Sequence, residues 1–237
     1  MPNPYFSFKQ FTVYHDKCAM KVGIDGVLLG AWAEVENAEK TLDIGTGTGL
    51  IALMIAQRSN TNIQAIDIEE SAILQARENI LKSPWADRIQ AQQMSLQEFA
   101  KSTIDRFDLI VSNPPYFINS TKAPEKSRNT ARHTDTLTHK ELIEQATHLL
   151  EPTGRLCVIL PVNEGLECVA YAESKGLFCT KLVMVFPKPN SPAKRVLLEF
   201  CKQFNPKEIS ELTIESEIRH HYSPKFTELA KDFYLKL

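Results

Sequence analysis

The residues best suited to chemistry in this sequence are Asn113-Pro114-Pro115-Tyr116, which directly follow the apolar run 107–112. That run is short and branched, as expected of a buried strand. The two prolines remove two backbone donors and fix two φ angles, and the first also holds Asn113 extended. The Asn113 side-chain oxygen and the Pro114 carbonyl are then free acceptors at a rigid corner, with the Tyr116 ring beside them. Such a corner suits a planar group that carries an NH₂.

A second candidate site is the glycine-rich turn Asp43-Ile44-Gly45-Thr46-Gly47-Thr48-Gly49. It lies between a predicted strand at 41–44 and a predicted helix at 50–58. Glycines keep such a turn tight and allow a ligand to approach its backbone. Asp67 ends the next predicted strand, at the spacing expected of a carboxylate that accepts hydrogen bonds from ribose hydroxyls. Together these features indicate a ribonucleoside across the strand ends.

The turn favours S-adenosylmethionine over a dinucleotide. The dinucleotide fingerprint reserves its third small residue for helix–strand packing, and Leu50 stands at that position here. A pyrophosphate would be repelled by Asp43, whereas the sulfonium and ammonium of S-adenosylmethionine would be attracted by it. A nicotinamide-dependent oxidoreductase is therefore the weaker alternative, and the sequence shows no evident proton-relay residue for one.

Strands and helices that alternate along the chain must position these residues. Alternation of this kind predicts an α/β fold with a seven-stranded, mostly parallel sheet covered on both faces, and an antiparallel last strand. The last two strands are predicted to form a hairpin with a proline-rich loop. The predicted strands are 41–44, 63–67, 88–94, 107–112, 155–160, 178–186 and 195–201. The predicted helices are 50–58, 70–81, 96–100, 139–150 and 163–175.

We expect a single domain over residues 1–237, with the core at 39–203. Residues 1–38 form a short N-terminal appendage, because aromatic and polar residues alternate over 5–15 as in a β-hairpin and a short helix follows. Asp25 is predicted to be the N-cap of that helix. Residues 204–237 form a C-terminal tail that contains a short helix.

Composition excludes several classes of protein. Apolar residues make up 43% and charged residues 24% of the chain, as in soluble globular proteins. No apolar run is long enough to cross a membrane, and the N-terminus does not resemble a signal peptide. The five cysteines show no metal-ligand spacing, so we expect no metal, reduced thiols and a cytoplasmic protein. No obligate protein partner is evident.

Basic charge is concentrated in two segments, although the net charge is −2. Residues 111–140 carry +3 and residues 181–203 carry +4, which leaves −9 for the rest. In a sheet of this order both segments can border the cleft at the strand ends. The pattern favours contact with nucleic-acid phosphates over ordinary solvated loops.

The glycine turn, Asp67 and the Asn-Pro-Pro-Tyr corner resemble motifs of class I S-adenosylmethionine-dependent methyltransferases over residues 41–201. In that family Asn-Pro-Pro-Tyr marks methylation of an exocyclic or amide nitrogen. Three further blocks resemble the tRNA1(Val) (adenine-N6)-methyltransferases: Phe8–Phe11, Met20–Trp32 and Ala131-Arg132-His133. The resemblance implies a Rossmann-like core with S-adenosylmethionine as cofactor, and it makes Asn113, Pro114 and Tyr116 the catalytic residues.

It also implies that the stretch around Lys21 to Gly26 closes over the methionine end of the cofactor. One departure is that many such enzymes have an acidic residue after the third strand to bind the cofactor's adenine, where this chain has Gln93-Met94-Ser95-Leu96. Ser95, Gln93 or a backbone donor is the expected substitute. The predicted cofactor-binding residues are Asp43, Gly45, Gly47, Gly49, Asp67, Ile68, Lys21, Asp25 and Ser95.

The resemblance implies tRNA as the partner, and the adenine next to the anticodon of tRNA1(Val) as the substrate. The predicted RNA-binding residues are Lys122, Lys126, Arg128, Arg132, His133, Lys188, Lys194 and Arg195. An alternative is glutamine methylation of a peptide release factor, because a carboxamide nitrogen poses the same chemical problem. Methylation of an rRNA or DNA adenine, or a nucleoside- or RNA-binding module without activity, are further alternatives.

Overall fold

The structure of the chain is a computed structural model, and the residues that it describes are 3–18, 21–114, 137–218 and 221–237. The strands within these ranges are β1 (Tyr5–Ser7), β2 (Thr12–Tyr14), β3 (Lys40–Ile44), β4 (Asn62–Asp67), β5 (Ile89–Gln93), β6 (Phe107–Ser112), β7 (Leu150–Pro161), β8 (Phe178–Phe186), β9 (Arg195–Cys201) and β10 (Glu208–Thr213). The helices are α1 (Ile24–Trp32), α2 (Leu50–Arg58), α3 (Glu70–Leu81), α4 (Leu96–Ser102), α5 (His139–Leu149), α6 (Val162–Ser174) and α7 (Pro224–Ala230).

Eight of the described strands form one sheet, in the order β10-β8-β9-β7-β6-β3-β4-β5. Strand β9 runs antiparallel to both of its neighbours, β7 and β8. Every other pair in the sheet is parallel. The predicted α/β class and the late antiparallel hairpin are therefore confirmed. The carboxyl ends of β3, β4, β5, β6 and β7 lie along one edge of the sheet.

The sequence predicted seven strands, and the eighth strand is a correction. Residues 208–213, which the prediction assigned to the tail, form β10 and pair in parallel with β8 at the edge of the sheet. The pattern was missed because the strand is polar: Leu212 is its buried residue, and both glutamates are exposed. An edge strand of this kind lacks the apolar run that marks the central strands.

Both faces of the sheet are covered by helices. In β6, Leu109 and Val111 belong to the core cluster beneath α1, α2, α3 and α7. Ile110, which lies between them and points the other way, belongs to the cluster beneath α4, α5 and α6. Alternate residues of one strand thus fill two separate cores. Burial on both sides explains why the central strands are continuously apolar.

The two ends of the chain pack against each other on the α1 face. Phe8 forms an antiparallel bridge with Tyr234, and the amide of Lys9 donates to the Phe233 carbonyl at 2.8 Å. The Phe8 and Phe11 rings stack with centroids 4.7 Å apart. The N-terminal hairpin and the C-terminal tail, predicted as separate appendages, therefore form one aromatic cluster. The single-domain organisation over residues 1–237 stays a prediction.

Helix α1 packs closely on α2 through two glycines one helical turn apart. A Cβ added at Gly26 would lie 2.9 Å from Leu50 Cδ2, and one added at Gly30 would lie 2.9 Å from Met54 Cβ. Because Met54 Cβ is attached directly to the α2 backbone, it cannot move without moving the helix. These glycines set the distance between α1 and α2, and so they set where the N-terminus of α1 lies at the carboxyl edge.

We expect Gly30→Ala to destabilise the protein although alanine is the better helix former. Overpacking of a filled core costs about 1–3 kcal/mol, and the gain in helix propensity offsets up to about 1 kcal/mol. Chemical denaturation should therefore show a loss of about 1–2 kcal/mol in the free energy of unfolding. Gly23→Ala is the matched control, since its added Cβ would lie 3.9 Å from its nearest neighbour outside the adjoining residues, the Lys21 carbonyl oxygen. Equal stability of the two variants would contradict this account of the contact between α1 and α2.

Candidate active site

The glycine turn after β3 has its backbone in a conformation that other residues rarely adopt. Gly45 has φ 71° and Gly47 has φ 56°. A Cβ added at either position would meet nothing within 4 Å, so the constraint there is the positive φ rather than crowding. The amides of Gly45 and Thr46 donate to the Ile66 carbonyl at 2.9 and 3.0 Å, which folds the turn over the end of β4. The turn therefore presents open backbone to a ligand at the carboxyl edge.

Asp43 lies beneath this turn and is fully buried. Its Oδ2 accepts a hydrogen bond from Thr46 Oγ1 at 2.7 Å. Its Oδ1 is buried without a hydrogen-bond partner in the described part of the chain. Burial raises the pKa of Asp43 to about 7, although the bond from Thr46 partly offsets this. The structure thus places the predicted carboxylate at the turn, where it can act on a ligand through its charge and through Thr46 but not by contact in this conformation.

Asp67 ends β4 and joins the turn to that strand. Its Oδ2 accepts from the Gly47 amide at 2.9 Å, and its Oδ1 accepts from the Glu69 amide at 3.0 Å. The carboxylate is partly exposed, and each of its oxygens can accept another hydrogen bond. Ile68, the next residue, is an apolar side chain that is 44% exposed. Asp67 and Ile68 therefore offer two acceptors and an apolar surface side by side.

The residues after β5 are occupied by contacts within the protein. Ser95 is the N-cap of α4, where its side chain accepts from the Glu98 amide at 3.2 Å and its own amide donates to Glu98 Oε2 at 3.1 Å. Gln93 Nε2 donates to the Ile68 carbonyl at 3.1 Å, which fixes the carboxamide at the edge and leaves its oxygen as an acceptor. The cofactor role of Ser95 stays a prediction.

Asn113 follows β6 directly, and a side-chain hydrogen bond joins β6 to β3 at this point. The buried Ser112 hydroxyl donates to the Ile44 carbonyl at 2.9 Å, so the last residues of the two strands are held together. Asn113 is half-buried, and Pro114 is buried. Among the described residues, nothing forms a hydrogen bond with the Asn113 side chain. Pro115 and Tyr116 lie outside the described residues.

The N-terminal block reaches the same edge from the other side of the turn. Lys21 is exposed, and Asp25 lies in the first turn of α1. The prediction that Asp25 is the N-cap is wrong: the N-cap is Gly23, and no side chain caps the helix there. Asp25 Oδ2 instead accepts from Arg195 Nε at 2.9 Å, with both side chains largely buried. The structure thus pairs a predicted cofactor residue with a predicted RNA-binding residue.

The predicted RNA-binding residues of the late hairpin lie at the carboxyl edge as well. Lys188 and Lys194 are exposed on the loop between β8 and β9. Ser191 Oγ donates to the Lys188 carbonyl at 2.7 Å, and Asn190 has φ 58°, so the loop is a closed turn rather than an open tether. The other predicted RNA-binding residues, Lys122, Lys126, Arg128, Arg132 and His133, lie outside the described residues.

Sequence reasoning did not identify two residues that fix this geometry, Ser112 and Asn79. Asn79 on α3 donates from Nδ2 to the Thr48 carbonyl of the glycine turn at 2.9 Å, and it is 1% exposed. Asparagine is a poor residue for a helix interior. An asparagine on the buried face of a predicted helix was therefore the sequence signal that could have identified Asn79. A buried serine at the end of an apolar strand was the corresponding signal for Ser112.

The described residues contain neither a cluster suited to a metal ion nor a helix suited to crossing a membrane. Across residues 3–18, 21–114, 137–218 and 221–237, His, Cys, Asp and Glu side chains form no group of three or more that could hold a metal ion. Within the same ranges, every helix is too short or too polar to cross a membrane.

Comparison with known proteins identifies relatives over the whole chain. A family model described as the methyltransferase small domain matches residues 24–173. A tRNA1(Val) (adenine(37)-N6)-methyltransferase from Parabacteroides distasonis is 53% identical over 239 residues, which cover 100% of both chains. A protein of the same name from Trichodesmium erythraeum is 50% identical over 98% of both chains.

Among solved structures, a predicted O-methyltransferase from Agrobacterium tumefaciens superposes with a TM-score of 0.68 at 17% identity. The match covers 88% of this chain and 96% of that chain. At this identity the likeness shows the fold alone, and it confirms the predicted Rossmann-like methyltransferase fold. The matches over the full length show the family: the chain belongs to the tRNA1(Val) (adenine(37)-N6)-methyltransferases, within the larger family that carries the methyltransferase small domain.

Proposed function

We propose that this protein transfers a methyl group from S-adenosylmethionine to the exocyclic N6 of adenine 37 in tRNA1(Val). The observation that carries the proposal is the position of Asn113. The bond from Ser112 to the Ile44 carbonyl holds the start of this corner beside the glycine turn that would bind the cofactor. Membership of the family supports the substrate, since its curated members are named for it.

The residues at the carboxyl edge fit S-adenosylmethionine. The open backbone at Gly45 and Gly47 admits the methionine end, and the partly exposed Asp67 carboxylate suits the two ribose hydroxyls. Exposed Ile68 suits a face of the adenine ring, and buried Asp43 places a negative charge near the sulfonium. Gly49, Lys21, Asp25 and Ser95 complete the proposed set. When bound, the cofactor supplies a methyl group that its sulfonium already activates.

The chemistry at the acceptor follows from the Asn113 corner. The exocyclic amine of adenine is a poor nucleophile, because its lone pair is conjugated with the ring. Acceptance of its two N–H groups by Asn113 Oδ1 and the Pro114 carbonyl would aim the lone pair and stabilise the positive charge that develops on nitrogen. Alignment of the amine with the methyl group then matters more for the rate of transfer than a strong base does. We propose that Tyr116 stacks on the base, a contact worth about 1–3 kcal/mol.

The tRNA would approach over the two basic segments. A base within a helix cannot reach the corner, whereas a base in a loop can be unstacked and inserted. Lys188 and Lys194, exposed on the closed turn between β8 and β9, would bind phosphates near the site. We propose the same role for the basic residues that follow the corner, Lys122, Lys126, Arg128, Arg132 and His133. Arg195 lies at the same edge of the sheet. A protein that acts on tRNA in this way would work in the cytoplasm, as one domain and without a protein partner.

The direct test is incubation with labelled S-adenosylmethionine and, in parallel, tRNA1(Val), total rRNA or a peptide release factor. We expect label in tRNA1(Val), and nucleoside mass spectrometry should locate it as N6-methyladenosine at position 37. A tRNA1(Val) in which adenine 37 is replaced by guanine is the matched control and should stay unlabelled. Label in the release factor, or at another position of the RNA, would contradict the proposal.

Asn113→Ala should abolish methyl transfer and leave cofactor binding intact. The variant removes the acceptor that aims the amine, whereas the residues proposed to bind the cofactor are unchanged. We expect a fall in kcat of at least 100-fold, which is about 2.7 kcal/mol of transition-state stabilisation. Calorimetry should give the wild-type Kd for S-adenosylmethionine. Turnover close to that of the wild type would exclude Asn113 as a catalytic residue.

Asp43→Asn should stabilise the protein at pH 8 and weaken cofactor binding there. The folded-state pKa of about 7 lies above that of an unfolded aspartate. The folded protein therefore holds an extra proton between about pH 4 and 7, and the contribution of Asp43 to the free energy of unfolding falls as the pH rises through this window. Denaturation of both proteins from pH 5 to 8 should show the variant gaining up to about 1.4 kcal/mol per pH unit relative to the wild type.

Loss of the negative charge should also reduce the affinity for cationic S-adenosylmethionine at pH 8, and this reduction should shrink at pH 6, where the wild-type carboxyl is protonated. Calorimetry at the two pH values measures it. An unchanged Kd at pH 8 would show that Asp43 acts only on the turn.

The double variant Lys188→Gln/Lys194→Gln should weaken tRNA binding and lower its salt dependence. Each phosphate contact contributes about 0.7–0.9 to the slope of log K against log salt, so the slope should fall by about 1.5. Filter binding from 50 to 300 mM salt measures this. Lys207→Gln is the control, because Lys207 pairs with Glu173 next to the amino end of β10, at the opposite edge. An unchanged slope in the double variant would exclude both lysines from phosphate contact.

A further inference from the structure

One stripe of polar residues on α3 and its C-cap faces the end of β2 and the residues that follow it. Gln75, Glu78, Asn79 and Lys82 have the spacing of a single helical face. Glu78 Oε2 pairs with Lys17 Nζ at 2.5 Å, and Lys82 Nζ lies 4.1 Å from the centroid of the Tyr14 ring. Gln75 and Asn79 are buried, and their contacts are made to backbone rather than to side chains.

Asn79 uses its whole amide to join three parts of the chain. Its Oδ1 accepts from the Tyr14 amide at 2.9 Å, and its Nδ2 donates to the Tyr14 carbonyl at 2.9 Å. The second hydrogen of Nδ2 donates to the Thr48 carbonyl in the glycine turn, also at 2.9 Å. Asn79 is 1% exposed, so water cannot replace these bonds. One side chain therefore fixes the N-terminal segment to α3 and to the proposed cofactor turn.

Gln75 forms a hydrogen bond to the same segment from one turn earlier on the helix. Its Oε1 accepts from the Lys17 amide at 2.9 Å. The side chain is fully buried, and Nε2 has no hydrogen-bond partner in the described part of the chain. Unlike Asn79, Gln75 makes no hydrogen bond to the glycine turn in that part. Gln75 thus contributes to docking of the segment alone, whereas Asn79 contributes both to docking of the segment and to support of the turn.

We propose that Asn79 is a positioning residue that couples the N-terminal segment to the cofactor turn. With Gln75 it docks residues Tyr14–Lys17 on α3, next to the turn that begins after β3. The docked segment leads to Lys21 and α1, which the proposed function places at the methionine end of the cofactor. This inference therefore rests on the proposed use of S-adenosylmethionine. Asn79 acts through the backbone of Tyr14 and Thr48 and touches neither cofactor nor substrate.

The test uses Asn79→Leu and Gln75→Leu with Thr61→Val as the matched control. Thr61 shares a buried hydroxyl pair with Thr41 at 3.0 Å at the amino edge, so its loss removes a buried hydrogen bond remote from the turn. Calorimetry of S-adenosylmethionine is carried out well below each melting temperature. We expect at least a tenfold loss of affinity in Asn79→Leu, at most a threefold loss in Gln75→Leu, and none in Thr61→Val.

Limited trypsin cleavage after Lys17 reports docking directly. It should be faster in both leucine variants than in Thr61→Val. In Gln75→Leu the melting temperature should change little, because the buried donor without a partner is removed together with the bond. Asn79→Asp adds a second check, since a carboxylate keeps the acceptor for Tyr14 but has no hydrogen for the two carbonyls. Its cofactor affinity should fall as in Asn79→Leu.

If the Asn79 variants fail to fold, hydrogen exchange in the wild type decides the question. Binding is reciprocal, so a cofactor that prefers the docked segment must favour docking. Saturating S-adenosylmethionine should slow exchange of the Tyr14 and Lys17 amides more than that of Lys9, which bonds to Phe233 in the same appendage. Equal slowing of all three, or wild-type affinity in Asn79→Leu, would overturn the inference. Absence of cofactor binding by the unmodified protein would instead contradict the proposed function, while trypsin cleavage would still measure docking.

Discussion

The structure depends on how the backbone N–H and C=O groups find hydrogen-bond partners where the parallel strands end. Inside the sheet the strands hydrogen-bond to one another, but at the carboxyl edge the ladders stop and the backbone groups need other partners. Side chains supply them here: Ser112 donates to the Ile44 carbonyl, Asp67 accepts from Gly47, and Asn79 donates to Thr48. A buried group left without such a partner costs about 1–3 kcal/mol. The bonds that close the edge thereby also fix the glycine turn and the Asn113 corner relative to each other.

Charge is distributed along this edge in a way that stability alone does not explain. Asp43 is buried with one oxygen unsatisfied, and its raised pKa means that ionisation lowers the stability of the folded state near neutral pH. Such a cost is commonly retained where a site uses the charge. On the loop between β8 and β9, Lys188 and Lys194 are exposed, and Arg195 at the start of β9 pairs with Asp25 of α1. The edge thus has an acidic interior suited to a cationic cofactor and a basic rim suited to phosphate.

Local signals in the sequence were sufficient for the core and for the position of the proposed site residues along one edge of the sheet. The turn at Gly45–Gly49, Asp67 and Asn113 each follow an apolar strand, and parallel strands bring such positions to one edge. The misses are features set by contacts between distant residues. Strand β10 is polar and pairs with β8 about 27 residues earlier. Asp25 looked like a helix cap, but its partner Arg195 is 170 residues away. Asn79 contacts Tyr14 across 65 residues, and no pattern within α3 identifies what it binds.

The N-terminal segment is fixed on both sides of the glycine turn. On one side Lys17 is held to α3, which connects β4 and β5. On the other side Asp25 is held to Arg195 on β9. Strand β3, which carries the turn, lies between these anchors in the sheet. The hairpin that precedes the segment packs in turn on the tail through Phe8 and Tyr234. The C-terminal residues are therefore linked to the proposed cofactor site through the N-terminal hairpin, without contacting the glycine turn themselves.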